Sequence, residues 1–248
     1  MESQQVALVT GGMGGLGEAI CHALYARNFR VLTTYSPMNQ HANVWLRLQK
    51  EAGKDFSAYR IDVSDFSSCE AGVRKMISDV GRIDVLVNNA GITRDVTVKR
   101  MQVEDWQTVI KTNLDSVFNM TRQVLSGMLE CGWGRIINIS SVNGQKGAFG
   151  QANYAAAKAG VHGFTKALAM EVASKGITVN TISPGYLRTK MALQVAQDIM
   201  EKQILPSIPL GRLGEPAEVA ELVAYLTTPS AGFITGANLA INGGQHMY

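Results

Sequence analysis

Tyr154 and Lys158 stand four residues apart in the run Tyr-Ala-Ala-Ala-Lys. In a helix that spacing puts both side chains on one face. A phenol titrating near 10 exchanges protons poorly at neutral pH, but a neighbouring positive charge can lower that value by about 1 to 3. Such a pair could pass a proton to or from a carbonyl oxygen. Taken singly the spacing is weak, because a surface helix readily holds both residues. Ser141 lies upstream, just past the apolar run Arg135 to Ile139, where its hydroxyl could hold the same carbonyl oxygen. Ser140 is the rival hydroxyl, and a turn cap is the plainer role for Ser141. Asn113 falls in a helical stretch, Val109 to Leu129, where Val109, Ile110, Leu114 and Val117 mark a packed face. A buried amide needs partners, and a water chain reaching Lys158 would supply them.

The elements that must position these groups are short β-rich runs alternating with helix-length segments. The strands expected are Val6 to Thr10, Arg30 to Tyr35, Phe56 to Val63, Ile83 to Asn88, Arg135 to Ser140 and Thr178 to Ile182. Continuous apolar strands such as Val85-Leu86-Val87 require cover on both faces, which predicts an α/β fold with right-handed crossovers and a parallel sheet. The 248 residues, 46% of them hydrophobic, fit one domain of about 250 residues. The net charge of +3 comes from scattered Lys and Arg, which argues against a nucleic-acid or membrane stripe. Cys21, Cys69 and Cys131 are far apart, so the sequence offers no metal-ligand cluster and reads as free thiols in a reducing compartment. With no signal-like start and no membrane-length apolar run, the expected location is cytoplasmic. Residues 184–216 are long for a connection and are expected to form a substrate lid containing a short helix.

Directly after the first strand comes Thr10-Gly11-Gly12-Met13-Gly14-Gly15-Leu16-Gly17, followed by the helix-compatible run from Glu18 to Ala26. Glycines there let the backbone approach a diphosphate seated at a helix N-terminus, the setting of a dinucleotide. At the end of the second strand an acid would grip the 2′-hydroxyl of NAD. Thr34-Tyr35-Ser36 carries none, which leaves room for a 2′-phosphate and favours NADP. Asp62 could accept from an adenine amino group, or cap the helix Phe66 to Val80. Asn88-Asn89-Ala90-Gly91 follows the fourth strand, where the asparagines can tie strands together and Gly91 permits close approach.

Thr10 to Gly17, Asp62, Asn88 to Gly91, Asn113, Ser141, Tyr154 and Lys158, in this order over the whole chain, resemble the short-chain dehydrogenase/reductase family. The resemblance implies a single-domain, seven-stranded Rossmann sheet, a homotetramer, and a catalytic group of Asn113, Ser141, Tyr154 and Lys158. It also implies that Tyr35, Asp62, Val63, Asn89, Ala90 and Gly91 border the dinucleotide. Pro184-Gly185-Tyr186-Leu187 would pass the nicotinamide carboxamide, with Thr189 nearby. Within the family, Asn88 to Asp95, Gly132 to Ile136, Asn138 to Gly147 and Asn242 to Met247 are similar to the branch that reduces short 3-oxoacyl-CoA thioesters for polyhydroxybutyrate synthesis. That likeness implies acetoacetyl-CoA as substrate, NADPH as donor, and an acyl pocket of Asp95, Ser141, Gln151, Tyr154, Gly185 and Tyr186. Taken singly, Asp95 could equally be a cap, Gln151 a surface amide and Tyr186 a packing aromatic. The sequence departs from that branch at Gln40 and His41, where relatives carry arginine, and at Lys190, where they carry Asp. The rival substrate is a 3-oxoacyl group on acyl-carrier protein, but Met128 to Trp133 offers no basic helix end to an acidic carrier. A non-catalytic nucleotide-binding regulator would be expected to lack Tyr154, Lys158 or Ser141, and all three are present.

Overall fold

A computed structural model describes residues 4–189 and 197–247. Its centre is a parallel sheet of seven strands: β1 (Val6–Val9), β2 (Arg30–Tyr35), β3 (Ser57–Arg60), β4 (Val85–Asn88), β5 (Gly134–Ile139), β6 (Ile177–Pro184) and β7 (Asn238–Ile241). Their order is β3-β2-β1-β4-β5-β6-β7, so the winding reverses between β1 and β4 and opens a crevice at their carboxyl ends. β1, β4, β5 and β6 are buried along their whole length. The apolar runs foreshadow that double cover.

Two apolar layers provide the cover. On one face α1 (Gly15–Ala26) and α9 (Pro216–Leu226) bury Ile20, Leu24, Val219 and Val223 against Ala7, Val9 and Val87. On the other, α3 (Phe66–Val80), α5 (Ser116–Cys131) and α7 (Ala152–Val172) bury Val73, Met76, Met120, Val124 and Leu168 against Leu8, Leu86 and Ile136. The alternation of inward residues along each strand sends neighbours to opposite layers. α2 (Ala42–Glu51), α4 (Val103–Ile110), α6 (Val142–Lys146) and the short α8 (Gln197–Ile199) are the other α-helices among the described residues.

Two features depart from the sequence expectations. β7 lies outside the six runs read as strands and enters only through the resemblance. As the last strand in the sheet it is half-buried, so its apolar signal is short. The stretch Val109 to Leu129 is not uniform either, since α4 and α5 are joined by a π-helical turn, Lys111–Asp115. Lys190 and residues 190–196 lie outside the described residues. Among those described, no helix is long and apolar enough to cross a membrane, and no group of three His, Cys, Asp or Glu could hold a metal.

Candidate active site

The glycine turn caps the carboxyl end of β1. Gly11 takes a left-handed φ of 64°, which favours glycine. A Cβ on Gly12 would collide with the Thr33 hydroxyl. That hydroxyl accepts from Gly12 N at 2.8 Å and donates to Val9 O at 2.9 Å, while Thr34 Oγ1 accepts from Gly11 N at 3.2 Å. The two threonines closing β2 therefore shape the turn, a role sequence reading missed while it looked there for an acid. α1 starts at Gly15 with Gly14 as a cap that makes no side-chain bond. Its first-turn N–H groups face the crevice as a diphosphate site requires, and the turn fits a dinucleotide.

Around that turn the motifs interlock. Asn89 Nδ2 donates to Thr10 O at 2.9 Å, and Thr10 Oγ1 accepts from the N–H of Asn89 and Ala90 at 2.9 and 3.0 Å. Asn88 Nδ2 reaches Asn138 Oδ1 at 2.8 Å, tying β4 to β5 as the two asparagines are expected to do. A Cβ on Gly15 would stand 3.3 Å from Thr189 Cγ2, so the segment 184–189 passes over the turn. Leu16 packs partly buried against the core. Beside the turn, Met13 Sδ receives Asn39 Nδ2 at 3.6 Å, and Asn39 Oδ1 accepts from His41 N at 2.8 Å. Gln40 and His41 are exposed. Arg60, exposed at the end of β3, stands in register with Tyr35.

Asp62 is not the cap of α3. Asp65 fills that place, accepting from Ser68 N at 3.0 Å. The Asp62 carboxylate instead accepts from Ser64 N and Ser64 Oγ at 3.0 and 2.7 Å. Val63 beside it is buried, its carbonyl held by Asn119 Nδ2 at 3.0 Å.

Tyr154 and Lys158, the candidate proton-transfer pair, stand where β5 ends against α7. Lys158 is 4% exposed and its Nζ donates to Ile139 O at 2.8 Å. Burial lowers its pKa from 10.5 to about 8. The half-buried Tyr154 ring has that Nζ 5.7 Å from its centroid. Burial raises the phenol pKa above 10, the Ser141 hydroxyl pulls it down, and the Asp95 charge raises it. The expected lowering by Lys158 is therefore not the prevailing influence in the ligand-free protein, because desolvation of the phenolate outweighs what surrounds it. Ser141 also caps α6, accepting from Asn143 N at 3.1 Å, so cap and site duties coexist. Ser140 points away into the protein, donating to Lys158 O at 2.9 Å and meeting His162 Nε2 at 2.8 Å.

Asn113 is fully buried in the π-helical turn, a kind of irregularity frequent at functional sites. Its Nδ2 donates to Ile92 O and Val109 O, both at 2.9 Å, and its Oδ1 accepts from Ile92 N at 3.1 Å. The backbone thus supplies the partners expected from a water chain. A Cβ on Gly91 would lie 3.5 Å from Lys158 Nζ and would press on Asn113 Oδ1. Asn113, Gly91 and Lys158 accordingly share one spot.

Of the residues expected in the acyl pocket, Gln151 bridges two others. It accepts from Asn143 Nδ2 at 2.9 Å and donates to Asp95 Oδ2 at 2.7 Å, so it is no free surface amide and Asp95 is no helix cap. Asn153, which sequence reading passed over, donates to Arg94 O at 3.1 Å and accepts from Tyr154 N at 2.8 Å. That clamps the segment after β4 to the first turn of α7. Tyr186 is half-buried and packs against Ile204, Ile208 and Leu213, the packing role named as its alternative. Gly185 fits tightly over Asn242, where a Cβ would sit 2.9 Å from Asn242 Cα.

Comparison with known proteins places this geometry. Residues 5–199 match the family model of the short chain dehydrogenases. The chain is 54% identical over 245 residues, 99% of each sequence, to the acetoacetyl-CoA reductase of Cupriavidus necator. It is 54% identical to nodulation protein G of Azospirillum brasilense, over 98% of each. It is 44% identical to the 3-oxoacyl-acyl-carrier-protein reductase of Vibrio cholerae, again over 98% of each. With the glycine turn, the β1/β4 crevice and the tyrosine–lysine pair in one site, the chain belongs to the short-chain dehydrogenase/reductase family, oxidoreductases that act on CH–OH groups with a nicotinamide dinucleotide.

Proposed function

We propose that this chain reduces the 3-oxo group of acetoacetyl-CoA to (R)-3-hydroxybutyryl-CoA, with NADPH as the donor. The product would feed polyhydroxybutyrate synthesis. The observation that carries this reading is the whole-length likeness to an acetoacetyl-CoA reductase, joined to Ser141, Tyr154 and Lys158 at one sheet edge. The glycine turn, Gly11 to Gly17, and Thr189 would hold a nicotinamide dinucleotide, which when bound would supply the hydride. Tyr154 gives its phenolic proton to the carbonyl oxygen, and Ser141 donates to the same oxygen. Lys158 would hold the nicotinamide ribose and would stabilise the phenolate left behind. Asn113 fixes the Gly91–Ile92 backbone against Lys158. The Asp95–Gln151–Asn143 chain would wall the acyl pocket.

NADPH is favoured by the missing acid after β2 and by Arg60 beside Tyr35. Arg94, Lys99 and Arg100 supply positive charge beside the site. All three are exposed on the segment clamped to the site by Asn153, and among the described residues none has an ion-pair partner. Their charge suits the phosphates of CoA and an acidic carrier alike, so the CoA thioester rests on the likeness to an acetoacetyl-CoA reductase. We read the chain as one cytoplasmic domain, residues 184–216 as its lid, and the working form as a homotetramer that covers the stacked, exposed Phe66 and Phe118. Steady-state rates test the chemistry: Tyr154→Phe should lose nearly all turnover with the dinucleotide still bound, and turnover near wild type would remove Tyr154 from it. Comparing kcat/KM for acetoacetyl-CoA and its carrier-bound form tests the substrate, and preference for the carrier form would overturn that part.

A further inference from the structure

We propose that His162 is a positioning residue of the reaction centre, holding the β5 end and the β6 end against the helix that carries Tyr154 and Lys158. The inference rests on the reductase reading above. α7 presents Tyr154, Lys158 and His162 on successive turns of one face. Three consecutive residues closing β5 receive them. Ser141 acts on the Tyr154 phenol, Ile139 O accepts from Lys158 Nζ at 2.8 Å, and Ser140 Oγ lies 2.9 Å from Lys158 O and 2.8 Å from His162 Nε2.

Hydrogen bookkeeping fixes the direction of the Ser140 bonds. Ser140 has one hydroxyl hydrogen and gives it to the Lys158 carbonyl, so its oxygen must accept from the imidazole, which assigns His162 as the Nε2–H tautomer. The same nitrogen is 3.4 Å from Ser183 Oγ, which can accept from it, whereas Asn238 Nδ2, also 3.4 Å away, faces it donor to donor. Ser183 Oγ donates to Asn238 Oδ1 at 2.7 Å, leaving its oxygen, like that of Ser140, to accept. One N–H thus stands where β5, β6 and β7 meet α7. Ser183 directly precedes Pro184 and Gly185, the start of the segment that reaches Thr189 over the glycine turn. The junction therefore links the proton-transfer pair to the chain passing the dinucleotide. Burial, then the charges of Lys166 and Lys158, hold the imidazole pKa below its ordinary value, and a neutral ring keeps this single-donor pattern at neutral pH.

Three substitutions separate positioning from bulk packing. Gln extends an amide toward the place of Nε2, Asn toward that of Nδ1, and Leu fills the space with no donor. His162→Leu is expected to lower kcat about tenfold with KM for acetoacetyl-CoA changed less than about twofold, the signature of a misaligned rather than unbound reactant. His162→Gln should return kcat to within about threefold of wild type, and His162→Asn should not. Wild-type kcat in His162→Leu, equal loss in the Leu and Gln variants, or rescue by Asn equal to that by Gln would overturn the proposal. Should His162→Leu fail to fold by circular dichroism, the Gln and Asn variants decide it between them. The same ratios are measured on ethyl acetoacetate. A wild type inactive on acetoacetyl-CoA would then count against the substrate reading, and unchanged ratios against His162.

Discussion

Replacing Lys158 by Met should make the ligand-free protein no less stable while destroying turnover, and the pH dependence of that stability can be worked out from the fold. Lys158 is buried, and among the described residues it has no ion-pair partner. Its charge is held by the Ile139 carbonyl. Burial lowers its pKa from 10.5 to about 8, which corresponds to roughly 3 kcal/mol of stability forgone when the group is charged in both folded and unfolded chains. The native state releases this proton first. The contribution to stability is therefore whole above the unfolded value of 10.5 and is lost as pH falls through about 8. Met keeps the length and the apolar stem, removes the charge, and leaves Ile139 O unpaired at a cost of about 1 to 3 kcal/mol. At neutral pH the two effects leave the variant between equal to wild type and about 2 kcal/mol more stable.

The change with pH is free of that offset. Between about pH 7 and pH 9 the wild type should gain about 1 kcal/mol on the variant, as part of the penalty disappears. Urea unfolding of both proteins at about pH 6, 7, 8 and 9, with equal m-values as a control, measures it. A difference that stays constant within a few tenths of a kcal/mol over that range would falsify the reasoning, since Lys158 would then titrate alike in the folded and unfolded chains.

Other substitutions follow from single contacts. Arg60→Gln should raise the Kd for NADPH several-fold and leave that for NADH unchanged, read by fluorescence titration; equal effects on both would dissociate Arg60 from the 2′-phosphate. The double change Lys99→Gln with Arg100→Gln should raise KM for acetoacetyl-CoA by about tenfold and flatten its dependence on ionic strength, with ethyl acetoacetate unaffected. Loss on both substrates would place the damage elsewhere. In Gly91→Ala the new Cβ presses on Asn113 Oδ1, so kcat should fall about tenfold or more, with crystallography showing the Asn113–Ile92 bonds broken. Unchanged kcat would show that this turn tolerates displacement.

The sheet was legible because central parallel strands are buried on both faces, and Val85-Leu86-Val87 can be little else. β7 was hidden for the complementary reason, being short and half-covered at the edge. The π-helical turn left no mark, since the apolar period runs through Lys111–Asp115 while the distortion comes from Asn113 Nδ2 engaging the Val109 carbonyl. Tyr154, Lys158 and Ser141 could be singled out as candidates because such chemistry restricts residue type and spacing. Their supports could not. Thr33, Asn153 and His162 act through partners far away in sequence, and only chain position separates Ser141 from Ser140, which meets a helix. Asp62 and Asp65 make the same point, since either could be the cap, and only the chain path after β3 assigns it to Asp65.

Burial acts on the reacting pair in opposite senses, and that bears on direction. It raises the Tyr154 phenol and lowers the Lys158 ammonium, so in the ligand-free site the lysine loses its proton first. Reduction starts from a protonated phenol, which a raised pKa preserves through neutral pH. Oxidation of the alcohol starts from the phenolate, which the same environment opposes. The ammonium that steadies the phenolate in the reductive transition state disappears as pH rises through about 8. For reduction, kcat/KM for the dinucleotide, which reports groups of the free enzyme, should therefore be level near neutrality and fall above about pH 8. Lys158→Arg should move that fall to higher pH, because a guanidinium stays charged throughout the range. A wild-type profile still level at about pH 10 would show that Lys158 keeps its proton in the free enzyme, and would withdraw with it the claim that burial dominates this pair.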